Sequence, residues 1–253
     1  MIRLKSVSKS FGGIKAVDSV SFEIPAGKIT ILTGADGAGK STIFKMLIGL
    51  VKKDTGHIFL KDEKIDNDYS KITSIGGYMP ERFSLYMDLS VEENMNFFAD
   101  IYHVDRAKRE ERKKRLLEKT GMSPFKKRRA GALSGGMKQK LALSTILLAA
   151  PEIIILDEPT TGVDPLSRIE FFNIIADLKE EGKTIVISTP YLDEAEQGDY
   201  IVFLKNGQVI QQDSIENLRR NFPATLYKIL PKGNIFDELE RLNAVPELKN
   251  NLY

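Results

Sequence analysis

The sequence predicts an α/β fold with an antiparallel β layer at the N-terminus and a helical insertion in its middle. Three observations lead there. Short runs rich in β-branched residues alternate with helical stretches, the pattern of an α/β core. The first of these runs precede any long helix. Between Arg82 and Ala150 the hydrophobic period then changes from that of strands to that of helices.

Taken in order, strands are expected at residues 2–7, 20–24, 28–33, 57–60, 75–79, 153–157, 184–188 and 200–204. In the helical region, Val91, Met95, Phe98 and Tyr102 fall on one face of residues 91–104. Residues 106–120 are highly charged, with Glu110/Lys114 and Glu111/Arg115 spaced for i,i+4 pairing. Asp164-Pro165 marks a helix start, with Asp as N-cap and Pro in the first turn. Phe171, Ile175 and Leu178 line one face of that helix, and Gly182 ends it. The division that follows is a core of residues 1–81 and 151–215, a helical subdomain of 82–150 and a β–α tail of 216–253. In the tail, residues 226–230 read as a strand, and Ile235, Leu239 and Leu242 share a helical face.

Composition narrows the function. With 42% hydrophobic residues in 253, the chain can bury a large core, while 37 basic against 35 acidic residues leave a net charge of +2. That balance argues against a protein whose task is to coat nucleic acid. No cysteine is present, which excludes disulfides and thiolate metal sites. His57 and His103 lack metal-site spacing. The start carries no apolar signal segment, and the longest nearly apolar run, 141–150, is about half of the ~20 residues that a spanning helix needs. These features predict a soluble, cytoplasmic chain whose membrane role comes through a partner.

The sharpest motif is Gly34-Ala35-Asp36-Gly37-Ala38-Gly39-Lys40-Ser41-Thr42, between an apolar strand and a helix expected at 43–50. Glycines let the backbone turn tightly, so that successive N–H groups and a helix N-terminus aim at phosphate oxygens. Lys40 would reach the β- and γ-phosphates, and the Ser41 hydroxyl would ligate Mg²⁺. The core is therefore expected to be of the P-loop NTPase type, a nucleotide site that takes Mg²⁺. The second half of the site is the apolar strand 153–156 followed by Asp157 and Glu158. Asp157 is placed to hold the metal through its water shell, and Glu158 to polarise the attacking water.

Between these halves lies Leu133-Ser134-Gly135-Gly136-Met137-Lys138-Gln139, about twenty residues before the acidic strand. This order of motifs resembles the ATP-binding subunits of ABC transporters over roughly residues 1–215, with spellings closest to exporter-type single-cassette subunits. The resemblance implies that Phe11 stacks on adenine and that Ser134, Gly135 and Gly136 grip the γ-phosphate held by an opposite subunit. It also implies that Thr161-Gly162-Val163-Asp164 links the two sites, in a head-to-tail dimer that drives an integral membrane permease from the inner face of the membrane. Phe83, Leu85 and Tyr86 fall where such a permease docks or where the core packs. Lys126-Lys127-Arg128-Arg129 reads as a lipid-facing or a solvated loop.

Two positions depart from the family pattern. Glu81 stands where a metal-sensing glutamine is usual; it still offers an oxygen to the metal shell. Pro190 stands where the switch segment carries histidine, and it has neither a polar side-chain atom nor an N–H. Losing one such transition-state donor costs ~10²–10³ in rate. The chain's own site is therefore expected to turn over slowly, either in a homodimer or beside a histidine-bearing partner. The competing expectations are an ABC ATPase outside transport and a nucleotide-gated regulatory module. The first is disfavoured by the absence of coiled-coil heptads and of a second cassette.

Overall fold

The computed structural model describes residues 1–66, 68–82 and 85–221. The elements expected at 226–253 and the side chain of Phe83 lie outside the described residues. Residues Met1–Leu218 form one compact unit, and a second unit begins at Arg219.

The chain opens with a hairpin of β1 (Ile2–Phe11) and β2 (Ile14–Ile24). The two residues between them, Gly12 and Gly13, have φ of 54° and 85°, the conformation a tight hairpin turn requires. There follow β3 (Ile29–Thr33), α1 (Lys40–Leu47), β4 (Thr55–Leu60), β5 (Glu63–Lys64), α2 (Ser70–Ile75) and β6 (Gly76–Met79). The helical stretch contains α3 (Val91–Ile101), α4 (Arg106–Lys119) and α5 (Gly135–Leu147). The chain then alternates through β7 (Ile153–Asp157), α6 (Pro165–Glu180), β8 (Thr184–Thr189), α7 (Leu192–Ala195), β9 (Tyr200–Lys205) and β10 (Gln208–Ser214), before α8 (Ile215–Arg220).

Two sheets result. An antiparallel one has the order β2-β1-β4-β5, the layer expected at the N-terminus. The other has the order β10-β9-β3-β8-β7-β6, parallel except for the β9–β10 pair. Alternation on its strands divides the core. Ile31, Ile154, Leu156, Ile185 and Ile187 pack with α3, α5 and α6 on one face. Leu32, Ile153, Ile155, Val186 and Val202 pack with α1 and the antiparallel sheet on the other. Burial on both faces explains why β3, β7 and β8 are continuous apolar runs.

Several elements differ from the sequence expectation, each for a physical reason. β1 and β2 run further than their apolar patterns because register shifts after Leu4, Val7 and Lys9 break the period-2 alternation. β10 was not expected: it is an edge strand of mostly polar residues paired on one side only. On α4, Glu110 pairs with Lys113 at 2.7 Å, one residue closer than expected. Arg115 pairs with Glu181 across the fold at 3.1 Å. Tertiary geometry has overridden the i,i+4 spacing, whose stabilisation is only a few tenths of a kcal/mol, ~0.3. α6 starts where Asp164 was expected to cap it, accepting from the Ser167 amide at 2.9 Å.

Candidate functional site

The site begins at the end of β3, where the chain leaves a buried strand and doubles into α1. Gly39 has φ of 102°, and a Cβ there would sit 2.5 Å from the Ala16 carbonyl oxygen of β2, so only glycine fits. Ala35, Asp36 and Gly37 are exposed along the top of the loop. Lys40, only 3% exposed, opens the helix and folds back over it. Its ammonium donates to the carbonyls of Gly34 at 2.8 Å and Ala35 at 3.2 Å, and lies 3.2 Å from Glu158 Oε1. No side chain caps the N-terminus of α1. Its first N–H groups, which lack partners inside the helix, thus face an open loop beside a cation. That arrangement fits a phosphate chain.

Ser41 and Thr42, both half-buried, follow Lys40 in the first turn. The Ser41 hydroxyl donates to Asp157 Oδ1 at 3.0 Å, across from the end of β7. Asp157 is 2% exposed and accepts two further hydroxyls, Ser188 Oγ at 2.6 Å and Tyr78 Oη at 3.3 Å. Burial raises the Tyr78 phenol's pKa far above its ordinary value, and the negative charges of Asp157 and Glu81 add to the effect. Glu81 itself is exposed just beyond β6, its charge within reach of this cluster. A hydroxyl and a carboxylate oxygen held together, with a second carboxylate nearby, form a hard-oxygen donor set that fits Mg²⁺.

Glu158 has a left-handed backbone, φ 47°. Its N–H donates to Ser188 Oγ at 2.9 Å, and its Oε2 accepts from the Thr161 hydroxyl at 3.3 Å. Ser188 thus contacts both acids. It can do so because the parallel register sets it directly opposite Asp157. Lys40, Ser41, Asp157 and Glu158 therefore meet at the carboxyl ends of β3 and β7, where open α/β sheets bind ligands. Tyr78 and Ser188 join them and were not anticipated, while Thr161, expected only as part of the linking loop, also holds Glu158 directly. Their signal lies in strand register and loop path, which local sequence does not carry.

Among the described residues, the other candidates, Phe11, Ser134, Gly135, Gly136 and Pro190, make no hydrogen bond or ion pair to Lys40, Ser41, Asp157 or Glu158. Phe11, 49% exposed, ends β1 with the Lys9 ammonium 5.3 Å from its ring centroid. Ser134 caps α5 by accepting from the Met137 amide at 3.3 Å. Ser134 and Gly135 are exposed, while Gly136 is pressed against Ser167 of α6, where a Cβ would come within 2.4 Å of the Ser167 Cβ. Among the described residues, no hydrogen bond or ion pair joins Ser134, Gly135 or Gly136 to the cradle. Pro190 follows β8, half-buried, after the buried Thr189.

A P-loop nucleotide site on a mixed sheet, flanked by an antiparallel layer and helices, defines the class of ATP-binding cassettes. Comparison with known proteins agrees. The family model described as ABC transporter matches residues 17–161. The probable multidrug ABC transporter ATP-binding protein YbhF of Escherichia coli (strain K12) is 44% identical over 215 residues, 84% of this chain and 37% of that protein. The lantibiotic transport ATP-binding protein SrtF of Streptococcus pyogenes is 38% identical over 227 residues, 88% of this chain and 96% of that one. Among solved structures, one chain of the dimeric structure of MJ0796, a bacterial ABC transporter cassette, superposes with a TM-score of 0.76 at 28% identity, covering 85% of this chain and 99% of that one. The chain belongs to the ABC transporter family. It spans little more than a third of the length of YbhF, though nearly the whole of SrtF.

Proposed function

We propose that this chain hydrolyses ATP to drive a membrane permease, closing head to tail with a second cassette around two ATP molecules. The observation that carries this reading is the meeting of Lys40, Ser41, Asp157 and Glu158 at one uncapped helix N-terminus. The loop amides and Lys40 bind the triphosphate; Ser41 and Asp157 would hold Mg²⁺, with Glu81 offering an outer oxygen. Bound Mg²⁺ supplies neutralisation of charge on the β- and γ-phosphate oxygens. Glu158 orients the attacking water and accepts its proton.

Phe11 offers its exposed face to adenine. Ser134, Gly135 and Gly136 close over the ATP of the opposite subunit, which accounts for an exposed serine and glycine at a helix start. A small apolar groove lined by Tyr78, Met79, Leu85, Phe98 and Tyr102 lies between β6, α3 and α5, and it supports docking of the permease beside Tyr86. Among the described residues no helix is long and apolar enough to cross a membrane, so the cassette would sit peripherally at the inner face. The names of YbhF and SrtF, multidrug and lantibiotic transport proteins, support export.

Pro190 offers no hydrogen bond where imidazole is expected, and this supports slow turnover at the chain's own site. The experiment is to compare the purified chain with Pro190→His. Faster turnover at unchanged ATP affinity is expected, and equal rates would remove the impaired-site reading. Pro190 also favours a second reading, a nucleotide-gated module with little catalysis. Single-turnover hydrolysis separates the two: ADP forms in the first case and bound ATP persists in the second.

A further inference from the structure

Behind the site, a fully buried carboxylate is tied to three elements at once. Glu194 of α7 is 2% exposed. Its Oε1 accepts from Thr160 Oγ1 at 2.6 Å, and its Oε2 accepts from Thr189 Oγ1 at 2.6 Å. Arg168 of α6 lies 3.2 Å from Oε1 through Nε, and its guanidinium sits 4.6 Å from the Tyr191 ring centroid. The Tyr191 amide donates to Thr189 Oγ1 at 3.1 Å. Thr160 and Thr189 are each 1% exposed. A buried carboxylate needs hydrogen-bond donors and an opposite charge near it; here two hydroxyls donate to it and Arg168 stands beside it.

What these contacts join is specific. Thr160 lies in the loop that follows Glu158, next to Thr161, whose hydroxyl holds Glu158 Oε2. Thr189 immediately precedes Pro190. Arg168 rides on the helix that Asp164 of the same loop caps. One carboxylate therefore fastens the loop after the general base, the switch segment and the start of α6 into a single body. We propose that Glu194 is a positioning residue for the hydrolysis assigned above: it locks the loop 158–164 to the segment 188–195 and so fixes where the Glu158 carboxylate points. The lock does not depend on a histidine at position 190, which suits a chain that has proline there.

The inference rests on the hydrolysis reading, and the test separates the two. Glu194→Gln keeps the shape but removes the charge facing Arg168. Thr189→Val removes one hydroxyl, and Thr189→Ser restores it. Amide hydrogen exchange of the nucleotide-free full chain is measured first. Faster exchange in both segments is expected for Glu194→Gln and Thr189→Val, with return toward wild type for Thr189→Ser. Faster exchange confined to 188–195 overturns the lock. ATP turnover is measured second, with kcat expected to fall roughly tenfold to a hundredfold and KM to stay within about twofold. Unchanged kcat despite faster exchange in both segments overturns the positioning role, as does a loss in Thr189→Ser equal to that in Thr189→Val. A wild-type chain that binds ATP without cleaving it overturns the hydrolysis reading and, with it, the role at Glu158; the exchange result then still decides whether the lock exists.

Discussion

Glu158 shows how a reactive side chain is aimed. A left-handed backbone at a residue with a Cβ costs about 1–3 kcal/mol and persists only where neighbours over-determine it. Here Ser188 holds the amide, Thr161 one carboxylate oxygen and Lys40 the other. Glu158→Gln removes the negative charge that occupies Lys40 and the base that takes the water's proton. Turnover should fall by at least ~10² while ATP is bound as tightly or more so, measured by steady-state hydrolysis and equilibrium nucleotide binding. Ser188→Ala strikes both acids. It frees the Asp157 carboxylate from one hydroxyl and leaves the Glu158 N–H without its acceptor, a cost of about 1–3 kcal/mol. The Mg²⁺ concentration for half-maximal turnover should rise, and a titration of rate against Mg²⁺ checks this. Lys40, Ser41, Asp157 and Glu158 are legible in the sequence because each half of the site is contiguous. Ser188 is not, since it matters only through the register that sets it across from Asp157.

At the scale of elements, the legible parts are those whose pattern coincides with burial. β3, β7 and β8 are buried at every position and read as apolar runs. The hairpin of β1 and β2 was half legible, because shifts of register hide its polar half. The joint between β4 and β5 was invisible, since its short backbone pairing is reinforced by charge rather than by an apolar pattern. The Asp66 carboxylate, 9% exposed, gathers His57 at 2.6 Å, Lys64 at 3.1 Å and Lys53 at 3.3 Å. Burial works to raise its pKa, but the Ile58 amide, His57 and the two lysines outweigh it and bring the value down to about 2. A folded-state pKa below the unfolded one gives stability that is present above the unfolded value and lost as pH falls through the folded one. Asp66→Asn should therefore lower stability by about 2 kcal/mol at neutral pH. The gap from wild type should close as pH drops from about 4 toward 2, read by denaturant unfolding at each pH.

At the scale of the whole molecule, the site is divided. The cradle and its acids sit at one end of the sheet, while the exposed Ser134 belongs to the start of α5. If one chain's Ser134 completes another's cradle, two defective chains can repair each other. Lys40→Ala has no working cradle but keeps its signature turn, and Ser134→Arg keeps its cradle but blocks the turn. Each alone should be inactive. Mixed in equal amounts, about half of the dimers are hybrids, and in each hybrid one of two sites pairs an intact cradle with an intact turn. Turnover should then recover to about a quarter of the wild-type rate, with a dependence on total protein concentration that reports assembly. A mixture as inactive as its components would mean that cradle and turn must come from the same chain, and that no second cassette closes this site.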